Sequence, residues 1–379
     1  MKITHVETIA LQDEQSHHSE TIVRVHTDQG LTGIGQAEAP ALVIDAIIRH
    51  RGGLQTILEG EDPSHVHRLW QKMYDTTGLY GRRGVTIAAI GAIETALWDI
   101  TGKALGKPVH ELIWRSFTTS KGLLEPKRAV TPYVTVYPSG GDIATIRERV
   151  EDAIRRGYRA VKIEEGEGMF GNVDLATDVK VVEAVRDVLG PDRDLLIDVQ
   201  NKYYEYGQAL ATIRAIEEYR PFFIEAPFPA DNLEAYARLA DTVDTRIAVG
   251  DWGFSTRHEF RDIIERGHVD VVQPSSVRAG GMSEILYIAE MAYQRGLLCI
   301  PHAWCHVIGL AAEIHLAAVA PNMPYFEAPI IYPDTPLVSD LLTPMPQVAP
   351  DGTMEVPTRP GLGVELNEDV IKDFRIDPH

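Results

Sequence analysis

The pattern of apolar and polar positions changes near residue 130, which divides the chain into two parts. Three strand-like segments come first, at residues 3–11, 21–27 and 31–37. Three segments with helical spacing follow, at residues 41–50, 66–74 and 85–105. This pattern predicts an α+β domain over residues 1–128, with a polar connection over residues 12–20 between its first two strands.

Beyond residue 130, short apolar strands alternate with amphipathic helices. The predicted strands lie near residues 132–136, 159–163, 194–198, 222–225, 246–250, 269–272, 298–301 and 324–327. The predicted helices lie at residues 143–156, 173–189, 206–218, 233–241, 256–266, 282–294 and 308–318. Eight such units favour an α/β fold, a modified (β/α)7–8 barrel of the TIM type over residues 129–330, with a doubly wound open sheet as the alternative. The Pro-rich, then strand-like segment 331–379 is expected to return to the N-terminal domain and complete it.

Three carboxylates end successive predicted strands of this barrel. They are Asp198, Glu225 and Asp251, separated by 27 and 26 residues, about the length of one helix, one strand and two loops. The carboxyl ends of parallel strands meet at one edge, so these groups would repel one another unless a cation lay between them. Oxygen ligands of this kind favour a hard divalent ion, Mg²⁺ above all. A helix cap or a loop position is the alternative for any one of them.

The second predicted barrel strand contributes Lys162 and Glu164. Alternation with period two places both on one face, opposite Ile163. A Lys inside a barrel is costly without a catalytic task or a carboxylate partner, so a salt-bridged structural Lys is the alternative. A bound cation nearby would lower the pKa of Lys162, which suits a general base.

The later strands add further polar groups at the same edge. The seventh predicted strand ends at His302, which would face the site from the far side, with His306 as its rival. The eighth ends at Glu327, and the sixth leads into Ser275 and Arg278. The glycines at 280 and 281 permit either a close backbone approach or a simple turn into the next helix.

The bulk composition excludes several classes of function. With 36 Lys and Arg against 55 Asp and Glu, the formal net charge is -19, which makes nucleic acid an unsuitable partner. Two cysteines, Cys299 and Cys305, are too few for a disulfide framework, and we expect buried thiols. We find neither a signal-peptide pattern nor a run of about 18 apolar residues, so we expect a soluble, cytoplasmic protein without a membrane span.

Several motifs resemble the enolase superfamily, mandelate racemase subgroup, and the resemblance covers nearly the whole chain. They are residues 80–84, residues 94–103, Ile224-Glu225-Ala226-Pro227 and Gly280-Gly281. The resemblance implies a capping domain over the barrel, Mg²⁺ bound by the three acids, and a substrate carboxylate on that metal. It also implies a Lys or His base that removes the proton α to the carboxylate, and a homo-oligomer.

Four positions depart from the family pattern. Glu164 replaces a second Lys, Asp251 replaces a Glu, Ser275 replaces an Asp that pairs with the seventh-strand His, and Arg278 replaces a Lys. A hydroxyl cannot stabilise an imidazolium as a carboxylate does, so we expect His302 to be a weak base that acts mainly as an acid on a leaving hydroxyl. One-sided elimination then becomes more plausible than racemisation with two equivalent bases.

Together these features predict a Mg²⁺-dependent lyase that dehydrates a sugar acid to a 2-keto-3-deoxy acid. The predicted catalytic residues are Lys162, His302, Glu164 and Glu327, the predicted substrate contacts are Arg82, His17, Arg278 and Ser275, and the predicted metal ligands are Asp198, Glu225 and Asp251. Lys162 and His302 form the acid–base pair in an order that stays open, and Glu327 would hydrogen-bond the substrate carboxylate. A cycloisomerase or epimerase acting on a sugar acid or its lactone is the first alternative. A non-catalytic Mg²⁺-binding scaffold is the second.

Overall fold

The computed structural model describes residues 1–117, 125–137, 142–164, 175–304, 306–329 and 334–377. Its strands are β1 (Ile3–Asp13), β2 (His18–Thr27), β3 (Thr32–Gln36), β4 (Ala129–Val130), β5 (Pro132–Val136), β6 (Ala160–Glu164), β7 (Asp194–Asp198), β8 (Phe223–Glu225), β9 (Ile247–Val249), β10 (Val271–Val272), β11 (Leu298–Cys299), β12 (Phe326–Ala328), β13 (Leu342–Thr343), β14 (Met354–Glu355), β15 (Glu365–Leu366) and β16 (Arg375–Ile376). Its helices are α1 (Ala41–Arg49), α2 (Leu54–Leu58), α3 (Val66–Thr77), α4 (Val85–Leu105), α5 (Val109–Phe117), α6 (Ile143–Arg155), α7 (Leu175–Leu189), α8 (Tyr206–Ile216), α9 (Leu233–Ala240), α10 (Thr256–Arg266), α11 (Met282–Tyr293), α12 (Val307–Val319), α13 (Pro336–Ser339) and α14 (Glu368–Phe374). Cys299 is buried with a free thiol, as predicted, whereas Cys305 lies outside the described residues.

A parallel sheet of eight strands forms the centre of the described fold. Its order is β11-β10-β9-β8-β7-β6-β5-β12, so the eighth barrel strand pairs with the first. The remaining seam, between β12 and β11, is bridged where the Glu327 N–H donates to the Pro301 carbonyl at 3.2 Å. The sheet therefore curls round on itself, which confirms the predicted barrel and excludes the doubly wound alternative.

Alternation with period two builds the barrel interior in layers. One apolar layer takes a side chain from each of seven successive strands or strand ends: Tyr133, Ala160, Leu196, Phe223, Ala248, Val271 and Ile300. Two residues further along most of these strands a polar side chain stands at the carboxyl edge. The barrel interior thus consists of an apolar layer with a polar layer above it at the carboxyl edge, because inward-facing side chains recur every two residues along each strand.

The N-terminal sheet confirms the predicted meander but has a longer hairpin. Asp13 pairs with His18, so most of the polar segment 12–20 is strand and not a connection. The prediction was wrong here because every residue from 12 to 20 is polar, so the segment resembles a loop in composition even though Asp13, His18 and Glu20 are buried.

The C-terminal segment returns to the N-terminal sheet, as predicted. Strand β16 pairs with β1, with Ala10 opposite Ile376, and strand β14 pairs with β4. Helix α14 contradicts the expectation of short strands at this end; its N-cap is Asn367, whose side chain accepts the Asp369 N–H at 3.1 Å. The divisions at 128/129 and 330/331 stay predictions.

Helix α4 joins the capping domain to the barrel through an unusually close contact. A Cβ built at Gly281 would lie 2.3 Å from the Glu94 Oε2 atom, and one built at Gly91 would lie 2.7 Å from the Gly281 nitrogen. This proximity lets the Glu94 carboxylate accept the N–H groups of Met282 and Ser283, at 2.8 and 3.0 Å, at the start of α11. The Gly280-Gly281 pair therefore serves a close approach between domains, and burial raises the pKa of Glu94 to about 7 despite these donors.

Helix α4 is also long and apolar enough to cross a membrane by length and composition. However, 94% of its apolar window is buried inside the protein. Its apolar character is accounted for by packing between the N-terminal sheet and the barrel, which is typical of a core helix.

Two buried histidines predict how stability depends on pH. The Nδ1 atoms of His110 and His315 lie 3.1 Å apart, and the Nε2 atom of His315 lies 3.0 Å from the Leu362 carbonyl oxygen. Burial lowers the pKa of His315 from 6.5 to about 3, so between these two pH values the unfolded chain binds a proton at His315 and the folded chain does not. The free energy of unfolding should therefore fall as the pH falls below 6.5, by up to about 1.4 kcal/mol per pH unit for this group.

Denaturant titrations between about pH 7 and about pH 5 measure how the free energy of unfolding changes with pH, and this slope should be shallower in His315→Gln than in the parent. The exposed His5→Gln variant should keep the parental slope, and equal slopes in all three proteins would contradict the assignment.

Candidate active site

Three buried carboxylates converge at the carboxyl edge of the barrel. One oxygen atom from each of Asp198, Glu225 and Asp251 lies within 4.8 Å of the other two. Asp198 and Glu225 are the last residues of adjacent strands and pair directly in the β7–β8 ladder. The sequence-predicted ligands are therefore brought together.

Asp251 reaches this cluster by a different route. The residue level with Glu225 on β9 is Ala248, so Asp251 stands three positions beyond it, past the end of the strand. Gly250 makes the connecting bend with φ +132, and a Cβ there would lie 2.5 Å from the Phe260 ring and 3.0 Å from the Gln273 nitrogen. The carboxylate thus enters the site from a bend that requires glycine, rather than from the strand register.

The donor set fits a divalent cation. Among the described residues, the Oε1 atom of Glu225 and the Oδ1 atom of Asp251 are buried without a hydrogen-bond partner. Burial raises the pKa of Asp198 and Glu225 far above their usual values, and repulsion among the neighbouring acids adds to this effect. Buried, unpaired carboxylate oxygens that repel one another are suitable ligands for a hard ion.

Lys162 lies among these acids with 1% of its surface exposed. Its Nζ atom is 3.0 Å from Glu225 Oε2, 3.4 Å from Glu327 Oε1 and 3.6 Å from Asp198 Oδ2. Burial by itself would lower the pKa of Lys162, but Glu225 and Glu327 outweigh it and hold the ammonium charged, with a pKa far above the usual value. Lys162 therefore has the carboxylate partners expected of a salt-bridged structural Lys. It also lies beside the predicted metal ligands, as expected of a catalytic Lys.

Glu164 lies beside Lys162 on the same inward face. Its carboxylate accepts a hydrogen bond from Gln200 Nε2 and contacts the Tyr137 hydroxyl. Burial raises the pKa of Glu164 to about 8, opposed by Lys162 and reinforced by Glu327. A carboxyl group that keeps its proton near neutral pH can donate that proton to a leaving group.

Glu327 occupies the space between Lys162 and His302. Its Oε2 atom lies 3.6 Å from His302 Nε2 and accepts the N–H groups of Ala303 and Trp304 at 3.2 and 3.0 Å. Although burial opposes ionisation, Lys162 and His302 bring the pKa of Glu327 down to about 2. An ionised carboxylate only accepts hydrogen bonds, so this arrangement does not favour the predicted donation to a substrate carboxylate.

His302 is buried and only partly anchored. Its main-chain N–H donates to the Pro274 carbonyl at 3.1 Å, whereas neither its ring Nδ1 atom nor the Ser275 hydroxyl has a hydrogen-bond partner within the described ranges. The structure therefore does not join Ser275 to His302 in place of the missing dyad. Burial lowers the pKa of His302, opposed by Glu327, so its imidazole is neutral near pH 7.

The two capping-domain residues predicted to reach the substrate, His17 and Arg82, are both exposed. Their neighbours make the inward contacts instead. His18 is buried, with Nε2 2.8 Å from Glu20 Oε1, and Arg83 pairs with Glu259 of the barrel at 3.0 Å. The substrate contacts predicted for His17 and Arg82 stay predictions.

Arg278 links the two domains at the edge of the acidic cluster. Its guanidinium donates to the Asp251 carbonyl and to the Glu38 carboxylate of the capping domain. His306, the rival of His302, lies in the same network, 3.1 Å from Glu20 Oε2 and 3.5 Å from Glu38 Oε2. Burial opposes its charge, but Glu20 and Glu38 raise the pKa of His306 to about 10.

Sequence reasoning missed three residues that shape this site. Gln273 donates to Glu225 Oε2 at 2.8 Å, Gln200 contacts Glu164, and Glu38 holds Arg278. Gln273 could have been found, because it lies two positions beyond the inward Val271, directly after the end of β10. Gln200 and Glu38 lie outside any strand and carry no such signal.

The comparisons with known proteins agree with this geometry. Residues 7–114 match the family described as mandelate racemase / muconate lactonizing enzyme, N-terminal domain, and residues 145–370 match the enolase C-terminal domain-like family. The chain is 30% identical to arabinonate dehydratase of Saccharolobus solfataricus over 97% of its own length and 94% of that protein. It is 33% identical to D-galactonate dehydratase of Xanthomonas campestris pv. campestris over 94% and 91%, respectively.

A solved structure extends the likeness to the whole fold. The 3,6-anhydro-D-galactonate cycloisomerase from Zobellia galactanivorans superposes with a TM-score of 0.88 at 28% identity, covering 100% of both chains. The family models and the full-length relatives confirm the resemblance drawn from the sequence motifs. This chain belongs to the mandelate racemase / muconate lactonizing enzyme family of the enolase superfamily.

Proposed function

We propose that this protein dehydrates a sugar acid to a 2-keto-3-deoxy acid with the help of Mg²⁺. The observation that carries the proposal is the buried triad of Asp198, Glu225 and Asp251 with two proton-transfer groups beside it. The full-length similarity to arabinonate and D-galactonate dehydratases supports a hydro-lyase acting on a small carboxylate.

The reaction needs a base, an acid and a means of stabilising negative charge. A base takes the proton from the carbon α to the carboxylate, and the C–H electron pair becomes an enolate. Loss of the β-hydroxyl, which leaves as water after taking a proton, gives an enol that becomes the keto acid. Mg²⁺ held by the triad would supply positive charge where the substrate carboxylate becomes more negative.

His302 is the better base in this arrangement. Burial keeps its imidazole neutral, and its Nδ1 atom has no partner among the described residues. A neutral imidazole carries the lone pair that proton removal requires. We therefore reverse the expectation from the sequence that His302 acts mainly as an acid.

The second barrel strand is the better source of the acid. Lys162 and Glu164 both retain a proton here, since surrounding carboxylates raise the pKa of the first and burial raises that of the second. Lys162 and His302 lie near opposite oxygens of Glu327, at 3.4 and 3.6 Å. We propose that Glu327 orients these two groups so that a substrate between them loses a proton on one side and gains one on the other.

Some predicted features remain proposals. The Ser275 hydroxyl is buried without a partner within the described ranges, so it is available to a substrate group. His17 and Arg82 are exposed on the capping domain and would act only if their segments approached the bound substrate. A cytoplasmic homo-oligomer also stays a prediction.

A cycloisomerase is the second proposed function. The 3,6-anhydro-D-galactonate cycloisomerase matches the full length of this chain, and its name implies a carboxylate substrate that is rearranged without loss of water. The same base and acid would serve both reactions, because each can begin with removal of an α-proton.

The reaction class is tested by incubating the protein with Mg²⁺ and a panel of aldonic acids and their anhydro derivatives. Dehydration gives a keto acid that forms a semicarbazone, whereas cycloisomerisation gives a product of the same mass as the substrate. We expect the keto acid from at least one aldonic acid. A product of unchanged mass would favour the second function, and absence of both product and α-hydrogen exchange with every substrate would favour a scaffold.

The metal assignment predicts a stability effect that does not depend on turnover. Mg²⁺ at about 100 times its Kd should raise the free energy of unfolding by about 2.7 kcal/mol, because it binds only the folded chain. In Asp251→Asn the Mg²⁺ effect should largely disappear, while the metal-free protein should be at least as stable as the parent because one repelling charge is gone. Thermal melts in Mg²⁺ and in chelator measure both effects. Asp194→Asn, at the opposite edge of the same barrel, is the control and should respond to Mg²⁺ like the parent; full activity in excess chelator would reject the metal.

The base assignment predicts different behaviour for two variants. His302→Asn should abolish exchange of the substrate α-hydrogen with solvent deuterium, whereas Lys162→Met should retain exchange but lose dehydration. Each variant should lower the rate of dehydration by about 10²–10⁴-fold, the usual range for general acid–base catalysis. Mass spectrometry of recovered substrate measures the exchange. Exchange that persists in His302→Asn and vanishes in Lys162→Met would reverse the assignment.

A further inference from the structure

Asp251 lacks the structural support that the other two metal-binding candidates have. Asp198 and Glu225 end paired strands, so the β7–β8 ladder fixes their backbones. Asp251 follows the bend at Gly250, beyond the end of β9. Its position must therefore be fixed by contacts outside the sheet.

Arg278 provides such a contact. It lies in the turn after β10, where its own N–H donates to the Ser275 carbonyl at 3.1 Å. One arm of its guanidinium donates to the main-chain carbonyl of Asp251, and the other donates to the Glu38 carboxylate. The planar, forked geometry of guanidinium allows both contacts at once, which a Lys ammonium at this distance would not reproduce.

Glu38 is itself fixed on the barrel from the capping-domain side. Its main-chain N–H donates to the Val277 carbonyl at 3.1 Å, and its side chain lies 3.5 Å from His306 Nε2. Only 20% of the Glu38 and Arg278 side chains is exposed. A chain of contacts thus runs from the connection after β3, through Arg278, to the backbone of the third acid.

We propose that Arg278 and Glu38 are positioning residues that hold Asp251 in place for the metal, and that docking of the capping domain thereby sets metal affinity. This inference rests on the proposed Mg²⁺ site. It gives Arg278 a role different from the substrate contact predicted from the sequence, since both arms of its guanidinium are engaged by the protein.

The proposal has a reciprocal consequence. If a docked capping domain raises the affinity for Mg²⁺, bound Mg²⁺ must stabilise the docked domain by the same free energy. An enzyme built in this way binds Mg²⁺ tightly only when the capping domain is docked on the barrel.

Removing Arg278 separates positioning from simple electrostatics. Loss of a cation near a divalent metal site should strengthen Mg²⁺ binding if charge alone mattered. If Arg278 positions Asp251, Arg278→Met should instead weaken binding by about 10–100-fold, the usual cost of losing a group that orients a metal ligand. Isothermal titration of the full chain with Mg²⁺ measures the affinity, and circular dichroism verifies that the variant is folded.

Two further variants sharpen the test. Arg278→Lys keeps the charge but loses the fork, so it should also weaken binding, and it replaces Arg278→Met if that variant does not fold. Glu38→Gln should weaken binding in the parent but have little additional effect in Arg278→Met, because both changes interrupt one contact chain. The matched control is Glu259→Gln, which breaks the Arg83–Glu259 pair, another contact between capping domain and barrel at 3.0 Å that does not involve a carboxylate of the triad.

The outcomes distinguish the proposal from the function on which it rests. If the parent binds Mg²⁺ while the Arg278 variants bind it equally or more tightly, the positioning role is overturned and the metal site stands. If Glu259→Gln weakens binding as much as Glu38→Gln, general domain docking replaces the specific contact chain, which also overturns it. If the parent itself does not bind Mg²⁺, the proposed function fails first.

Discussion

The burial of several carboxylates at one end of the barrel is the constraint on which the site depends. Asp198, Glu225, Asp251 and Glu327 lie in the polar layer, where water cannot screen their charges. Lys162 offsets part of this charge through contacts with three of them. The remainder must be met by protonation or by a bound cation, since an isolated ion in a region of low dielectric is costly. The same imbalance therefore accounts for the raised pKa of Asp198 and Glu225 and for the suitability of the site for a divalent ion.

The barrel can hold such a layer because its lower interior is apolar and well packed. The apolar layer contains Tyr133, Leu196 and Phe223 and excludes water from the interior below the polar residues. Burial of these side chains favours closure of the sheet into a barrel. The polar residues then follow two positions later without any change of register. The destabilising charges are thus placed where a packed core already fixes the backbone, which is how a fold accommodates a costly functional site.

The sequence predicts those features that depend on local periodicity. The barrel strands, the inward facing of Lys162 and Glu164, and the edge location of Asp198 and Glu225 all follow from alternation with period two. Asp251 lies at the predicted edge, but strand register does not explain its position. Its carboxylate enters the site from the bend at Gly250, beyond the end of β9. The contacts of Glu38 with Arg278 and of Gln200 with Glu164 join segments that are distant in sequence or irregular in structure. No local pattern encodes such pairings, and the hairpin that turns His18 inward instead of His17 depends on a register set by the whole sheet.

The boundary between the domains carries a second set of buried charges, and its composition differs from that of the metal site. Here the carboxylates of Glu20 and Glu38 are paired with the cations of His306 and Arg278. The two carboxylates together keep His306 protonated. A balanced network of this kind has no need of an added ion, because each charge already has an opposite partner within reach. Glu38 and Arg278 belong to this network and also touch the backbone of a residue in the unbalanced cluster. Separating the domains would expose the balanced charges to water and at the same time release the bend that carries Asp251. Domain docking and the geometry of the acidic triad are therefore governed by the same few contacts.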